Sequence, residues 1–210
     1  MKLSNFSEIA SLNNFGVSAL AKGNDGLAIK SFKAAMLLMR DAIVDSEYMD
    51  ITFESKDHQV SGFLPIDSFG CSSFYIYRNG LLLNATEDTD LIFCNSLILF
   101  NLALAFHQRG ARCGHEAHLR KAQNVYSLCL ELANGGIPCL SALRIAILNN
   151  SAHIQFELAD YESASETLNS LHQEVSRVFS SDQTIFEQMH MDEIYLNVLL
   201  STPPITAACA

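Results

Sequence analysis

The sequence predicts an all-α protein of about three stacked helix pairs closed by a C-terminal helix, and three observations carry that expectation. The phrase "LNNFGVSAL" from Leu12 returns as "LFNLALAFHQRG" from Leu99 and as "LNNSAHIQFELADY" from Leu148. Small residues recur at a fixed interval, twelve residues from Gly16 to Ala28 and twelve from Ala152 to Ala164. Finally, "QTIFEQMHMDEIYLNVLL" (183–200) sets Phe186, Met189, Ile194, Tyr195, Val198 and Leu199 against Glu187, Asp192 and Glu193, the pattern of an amphipathic helix, before Pro203-Pro204.

In the first copy (9–42), Leu12, Phe15, Gly16 and Ala19 share one helical face, Gly23-Asn24-Asp25-Gly26 breaks the helix, and Ala28, Phe32 and Ala35 form a second stripe. The third (145–178) repeats this with Leu148, Ser151, Ala152 and Gln155, a turn at Ala159-Asp160-Tyr161, then Ala164, Leu168 and Leu171. The second (96–136) has Leu99, Leu102, Ala103 and Phe106, then Ala122, Tyr126 and Cys129. Nineteen residues separate its small pair, which implies a longer turn, "GARCGHEAHL". Small residues let paired axes approach, while Phe32, Tyr126 and Leu168 fill the space between pairs. One pair cannot bury its own apolar face, so pairs must stack.

These motifs, "NFG…KGNDGLAIKSFKAA", "NLALAFHQRG…KAQNVYSLCLELA" and "NSAHIQFELADYESASETL", resemble the tetratricopeptide repeat. Leu12, Leu99 and Leu148 stand where that family usually has Trp, and its closing Pro is missing. The resemblance covers about half the chain. It implies a single TPR-like α-solenoid over 1–210, whose first helices line a concave groove for a peptide or helix of another protein.

Between the first two copies, 46–88 lacks a helical period. "MDITFES" and "SSFYIYRNGLLLNA" are rich in β-branched and aromatic residues, and Asn79-Gly80 is a hairpin-turn signal, so a small β-hairpin or strand-plus-loop insertion is expected. Its aromatic residues (Phe63, Phe69, Phe74, Tyr75, Tyr77) must be buried somewhere, and packing on the parent helices is favoured over an independent domain.

The asparagines Asn14, Asn101 and Asn150 hold equivalent places in the three copies. Recurrence with the architecture favours ties between adjacent helices. Groove contacts are then assigned to Asn13, Val17 and Leu20; Phe100, Leu104 and His107; Asn149, His153 and Phe156. This set is apolar and amide. It lacks the Lys and Arg with which one branch of the resembled family clamps acidic peptide C-termini, so such a tail is disfavoured as ligand.

Chemistry is sparse. "HEAH" (His115–His118) is one residue short of the spacing that places two imidazoles on one helix face. Cys113, His115 and His118, with Cys129 as a fourth, offer a metal-ligand set, but a location in the long turn reads them as surface residues. No phosphate loop, nucleophile elbow or Ser/His/Asp ordering is visible, so the expectation is a non-enzymatic protein with neither cofactor nor metal. The net charge of -10 disfavours nucleic acid and favours a neutral or basic protein or peptide; the alternative is a self-assembling structural unit whose groove is filled by its own 46–88 insertion or by a second copy of the chain, and a weaker one is a metal- or thiol-dependent enzyme around Cys113, His115 and His118. The start lacks the apolar core of a signal peptide. "LIFCNSLILFNLALAF" is polar and short for a membrane span, and six cysteines show no framework spacing, so a cytoplasmic or nuclear protein away from membranes is expected.

Overall fold

The computed structural model describes residues 3–47, 76–84, 90–133 and 140–181, together with Ile194 and Asn197. The described residues are all helical apart from the connections and 76–84. The helices are α1 (Leu3–Ala21), α2 (Asp25–Glu47), α3 (Leu91–Cys113), α4 (Glu116–Ala133), α5 (Ser141–Glu157) and α6 (Tyr161–Ser181). They form three pairs, α1 with α2, α3 with α4 and α5 with α6. The pairs follow in chain order, α2 packing on α3 and α4 on α5, while on one side α3 adjoins both α1 and α5.

The same device turns the chain in all three pairs. Gly23 (φ 74°), Gly114 (φ 61°) and Ala159 (φ 57°) occupy the left-handed region just past α1, α3 and α5. The next residue in each case donates its N–H to a carbonyl five residues back: Asn24 to Ala19 (2.9 Å), His115 to Gly110 (3.0 Å) and Asp160 to Gln155 (2.9 Å). This is the Schellman closure, which satisfies carbonyls the helix end leaves open. Asn24 and Asp160 then cap the following helices, their Oδ1 atoms accepting from the N–H of Leu27 and Ser163 (3.2 Å each).

The second pair therefore has no long turn, contrary to the sequence expectation. Its extra residues are helical, and α3 runs on to Cys113. Asn14 and Asn150 precede the first residue of the partner helix by eleven positions, whereas Asn101 does so by fifteen, one additional helical turn. The sequence showed a wider gap; nothing in its composition distinguished longer helix from loop.

Close packing is centred on the small residues. A Cβ on Gly16 would lie 2.5 Å from the Phe32 ring, and one on Gly110 would lie 2.7 Å from Leu119, so each glycine seats a partner-helix side chain directly on its backbone. Ala28, Ala103, Ala122, Ala152 and Ala164 are buried, as are Phe32 and Tyr126, while Leu168 is partly covered. Phe15 departs from expectation: spacing put it on the inner face, but it is 53% exposed, and Asn13, Val17 and Leu20 point inward instead.

Helix α3 sits between the other pairs, which explains its composition. By length and apolarity alone Leu91–Cys113 would suffice to cross a membrane, although 78% of its apolar window is buried inside the protein. Across the turn of the first pair, Arg112 bonds the Asp25 carboxylate and reaches the Gly23 carbonyl (3.4 Å), tying the first pair to the second. Of the expected closing helix 183–200, only Ile194 and Asn197 fall within the described residues; both are helical and buried.

The αL position at Ala159 gives a direct test, because an L-residue there carries a cost of about 1 kcal/mol that glycine avoids. Ala159→Gly is expected to raise the thermal midpoint and Gly23→Ala to lower it, each by a few degrees in circular dichroism melts.

Candidate functional site

The side on which α1, α3 and α5 lie is occupied by the chain itself. Residues 76–84, "IYRNGLLLN", cross it as a single extended strip with no strand partner among the described residues. Neither Asn79 nor Gly80 has positive φ, so the hairpin turn that this dipeptide signals is absent and the segment continues past it. The expected hairpin's other residues, including Phe63, Phe69, Phe74 and Tyr75, lie outside the described residues.

An extended backbone without a neighbouring strand must find other partners for its N–H and C=O groups, and a helix surface has none to offer. Asparagine side chains supply them. A carboxamide carries one acceptor oxygen and a donor NH2, so it can face both polar groups of one residue as a strand neighbour would. Asn150 accepts from the Tyr77 N–H (2.9 Å) and donates to its carbonyl (2.8 Å). Asn101 does the same to Leu81 (2.8 and 2.7 Å), and Asn14 to Leu83 (2.8 and 2.9 Å). Each pair of helices thus contributes one two-pronged amide clamp.

The clamps are braced in turn. Asn13 donates to the Leu81 carbonyl (2.9 Å), and its oxygen accepts from Asn101 Nδ2 (2.8 Å). Asn150 also donates to the Tyr126 hydroxyl (3.0 Å), while Asn197 donates to Asn149 (2.7 Å), whose amide donates to Asn150 (3.2 Å). Gln108 donates to the Arg78 carbonyl (3.1 Å). The first-to-third repeat direction is reversed: the strip enters beside α5 at Tyr77 and leaves beside α1 at Leu83. Six residues of extended chain reach about 20 Å, which matches two steps between helix axes of about 9 Å each.

Side chains follow the backbone register. Tyr77, Leu81 and Leu83 are buried, Tyr77 lying against Phe100 with ring centroids 6.0 Å apart. Gly80 is pressed onto Val17: a Cβ there would come within 3.0 Å of the valine methyls. Ile76, Arg78, Asn79 and Leu82 are half-buried and Asn84 is exposed.

Asn14, Asn101 and Asn150 therefore hold an inserted strip of chain, and the interhelix ties that recurrence suggested are present as well at two of them, Asn101 to Asn13 of α1 and Asn150 to Tyr126 of α4. The nine residues assigned to the groove are distributed as follows. Asn13, Val17 and Phe100 touch the strip, and Asn149 braces a clamp. Leu20 and Leu104 are buried in the core, and Phe156 stands 39% exposed at the end of α5 beside Tyr161. His107 and His153 pair beneath the strip, Nε2 to Nδ1 at 3.0 Å, and both are buried.

The metal-ligand set does not assemble. Cys113 and His115 are exposed at the α3–α4 turn, and His118 stacks on Phe106. Cys129 is buried farther along α4 with its thiol on the Ser96 carbonyl (3.0 Å). Among the described residues no group of three or more His, Cys, Asp or Glu side chains is placed to hold a metal.

No protein-family model, curated protein or solved structure matches the chain significantly.

The histidine pair gives the site a pH dependence. Burial, reinforced by Arg78, lowers His153 from 6.5 to about 4, and burial with His153 and Arg78 nearby lowers His107 also. A base with a depressed folded-state pKa contributes stability that is complete above its unfolded value and is lost as pH falls from 6.5 toward 4. For His153 the loss is on the order of 3 kcal/mol. Urea denaturation across that window is expected to show wild type losing about that much more stability than His153→Gln; parallel curves would contradict it.

Proposed function

We propose that this is a non-enzymatic, TPR-like protein-interaction scaffold whose concave side recognises extended polypeptide backbone. The observation that carries the reading is the amide ladder, one asparagine from each of α1, α3 and α5 clamping both polar groups of Leu83, Leu81 and Tyr77. Such contacts fix the position and direction of an extended chain while leaving most side-chain identity to the pockets between them, as strand-addition sites do. The net charge of -10 favours neutral or basic partners. The three similar turns and the stacked pairs support the repeat reading, since each pair leaves an apolar face that its neighbour covers.

A second reading has its own support. Tyr77, Leu81 and Leu83 are as buried as core residues, which fits a self-filled structural unit in which the insertion permanently straps the three pairs together. Partners would then meet only its outer surfaces.

Affinity capture with the full chain as bait tests the scaffold reading. Phe156→Glu alters an exposed rim residue and is expected to leave the thermal midpoint within about 2 °C of wild type, surface changes being small in effect. It is expected to reduce recovery of direct partners at least about tenfold, as loss of an interface aromatic does. Equal recovery of every partner by both baits would remove the concave side as the binding surface.

A further inference from the structure

Residues 76–84 are a ligand-like occupant whose contacts specify what else would fit. Every clamp contact to the strip is to main chain, so the amides do not require this sequence. Specificity comes from three side-chain demands. The residue beside Asn150 must fill the space against Phe100, which Tyr77 does with its ring. The residue over Val17 is best a glycine, because a Cβ there would meet the valine methyls at 3.0–3.1 Å and Val17 would have to give way by a few tenths of an ångström, more for a branched side chain. The residues on Asn101 and Asn14 must bury medium aliphatic side chains, as Leu81 and Leu83 do. The intervening positions, half-buried, are permissive.

We propose that the groove accepts in trans an extended protein segment of the pattern aromatic–x–x–Gly–Leu–x–Leu, running from α5 to α1, and that residues 76–84 are the resident segment such a partner displaces. The proposal rests on the scaffold reading and gives it a ligand. Tethering makes the resident segment a strong competitor, because a short connection, here residues 85–89 before α3, holds it at an effective concentration in the millimolar range. Wild type is thus largely self-occupied, and a partner binds well only when the resident segment is weakened.

The test uses the full chain and a labelled synthetic peptide, IYRNGLLLN. Three chains are compared by fluorescence anisotropy: wild type, a released chain (Tyr77→Ser, Leu81→Ser, Leu83→Ser), and the released chain carrying Asn101→Ala. The released chain is expected to bind the peptide at least tenfold more tightly than wild type does. Asn101→Ala is expected to remove at least tenfold of that gain, and a peptide with the glycine replaced by valine to bind at least tenfold more weakly. A released chain that keeps its helical signal but binds IYRNGLLLN no better than a scrambled peptide overturns the proposal. Should the released chain unfold, recovery of helicity on adding IYRNGLLLN, and not the scrambled peptide, supports it; failure to recover overturns it and makes the segment an inseparable part of the core. Because the readout is one defined peptide, failure here leaves the capture result at the Phe156 rim standing on its own.

Discussion

The bidentate contact between an asparagine carboxamide and a peptide unit is the interaction on which the rest of this structure depends. Nine residues of extended chain lie against helices that have no free backbone groups to give them. Without side chains that both donate and accept, the N–H and C=O of Tyr77, Leu81 and Leu83 would be buried unpaired, at about 1–3 kcal/mol for each group. Only a primary amide matches both groups at once. An aspartate would accept from the N–H but present a second acceptor to the carbonyl, and a serine is too short to span the two. The hydrogen bonds from Asn14, Asn101 and Asn150 therefore make a non-helical strip compatible with a helical core.

From that constraint follows the arrangement of the surrounding residues. The strip ties first, second and third pairs together across the side where α1, α3 and α5 lie, so these helices and residues 76–84 are one packed unit. Tyr126 from α4, Asn197 from the C-terminal part and Asn13 from α1 brace the amides, which restricts their rotation and lowers the entropy lost on clamping. The His107–His153 pair is kept neutral beneath the strip by burial, with Arg78 adding to the effect, and so couples this side of the protein to acidification.

Much of the helical framework was legible in the chain. Apolar spacing located the pairs, Gly16 marked a close approach of α1 and α2, though against Phe32, and Gly23-Asn24 announced the first turn. The second pair was misjudged because the same wide gap suits a loop or an extra helical turn, and Gly110 and Gly114, which disfavour helix, made the loop the easier reading. Phe15 was misplaced because α1 is apolar on more than one face, leaving spacing little contrast to work with. At the site, both components were visible: asparagines at equivalent places, and an insertion whose aromatics needed cover. What sequence could not supply was their juxtaposition, because Asn150 and Tyr77 meet across 73 positions and Asn14 and Leu83 across 69. Asn79-Gly80 read as a turn since its dipeptide propensity is local, whereas the packing of Gly80 on Val17 is tertiary.

Amide hydrogen exchange at Tyr77, Leu81 and Leu83 tests the central claim most directly. In the wild-type chain these three N–H groups are expected to exchange at least about a hundredfold more slowly than unfolded-chain rates, as buried, paired amides do. Asn101→Ala is expected to release Leu81 while α1 to α6 remain protected. Exchange at all three positions at unfolded-chain rates in wild type, with the helices protected, would contradict the account.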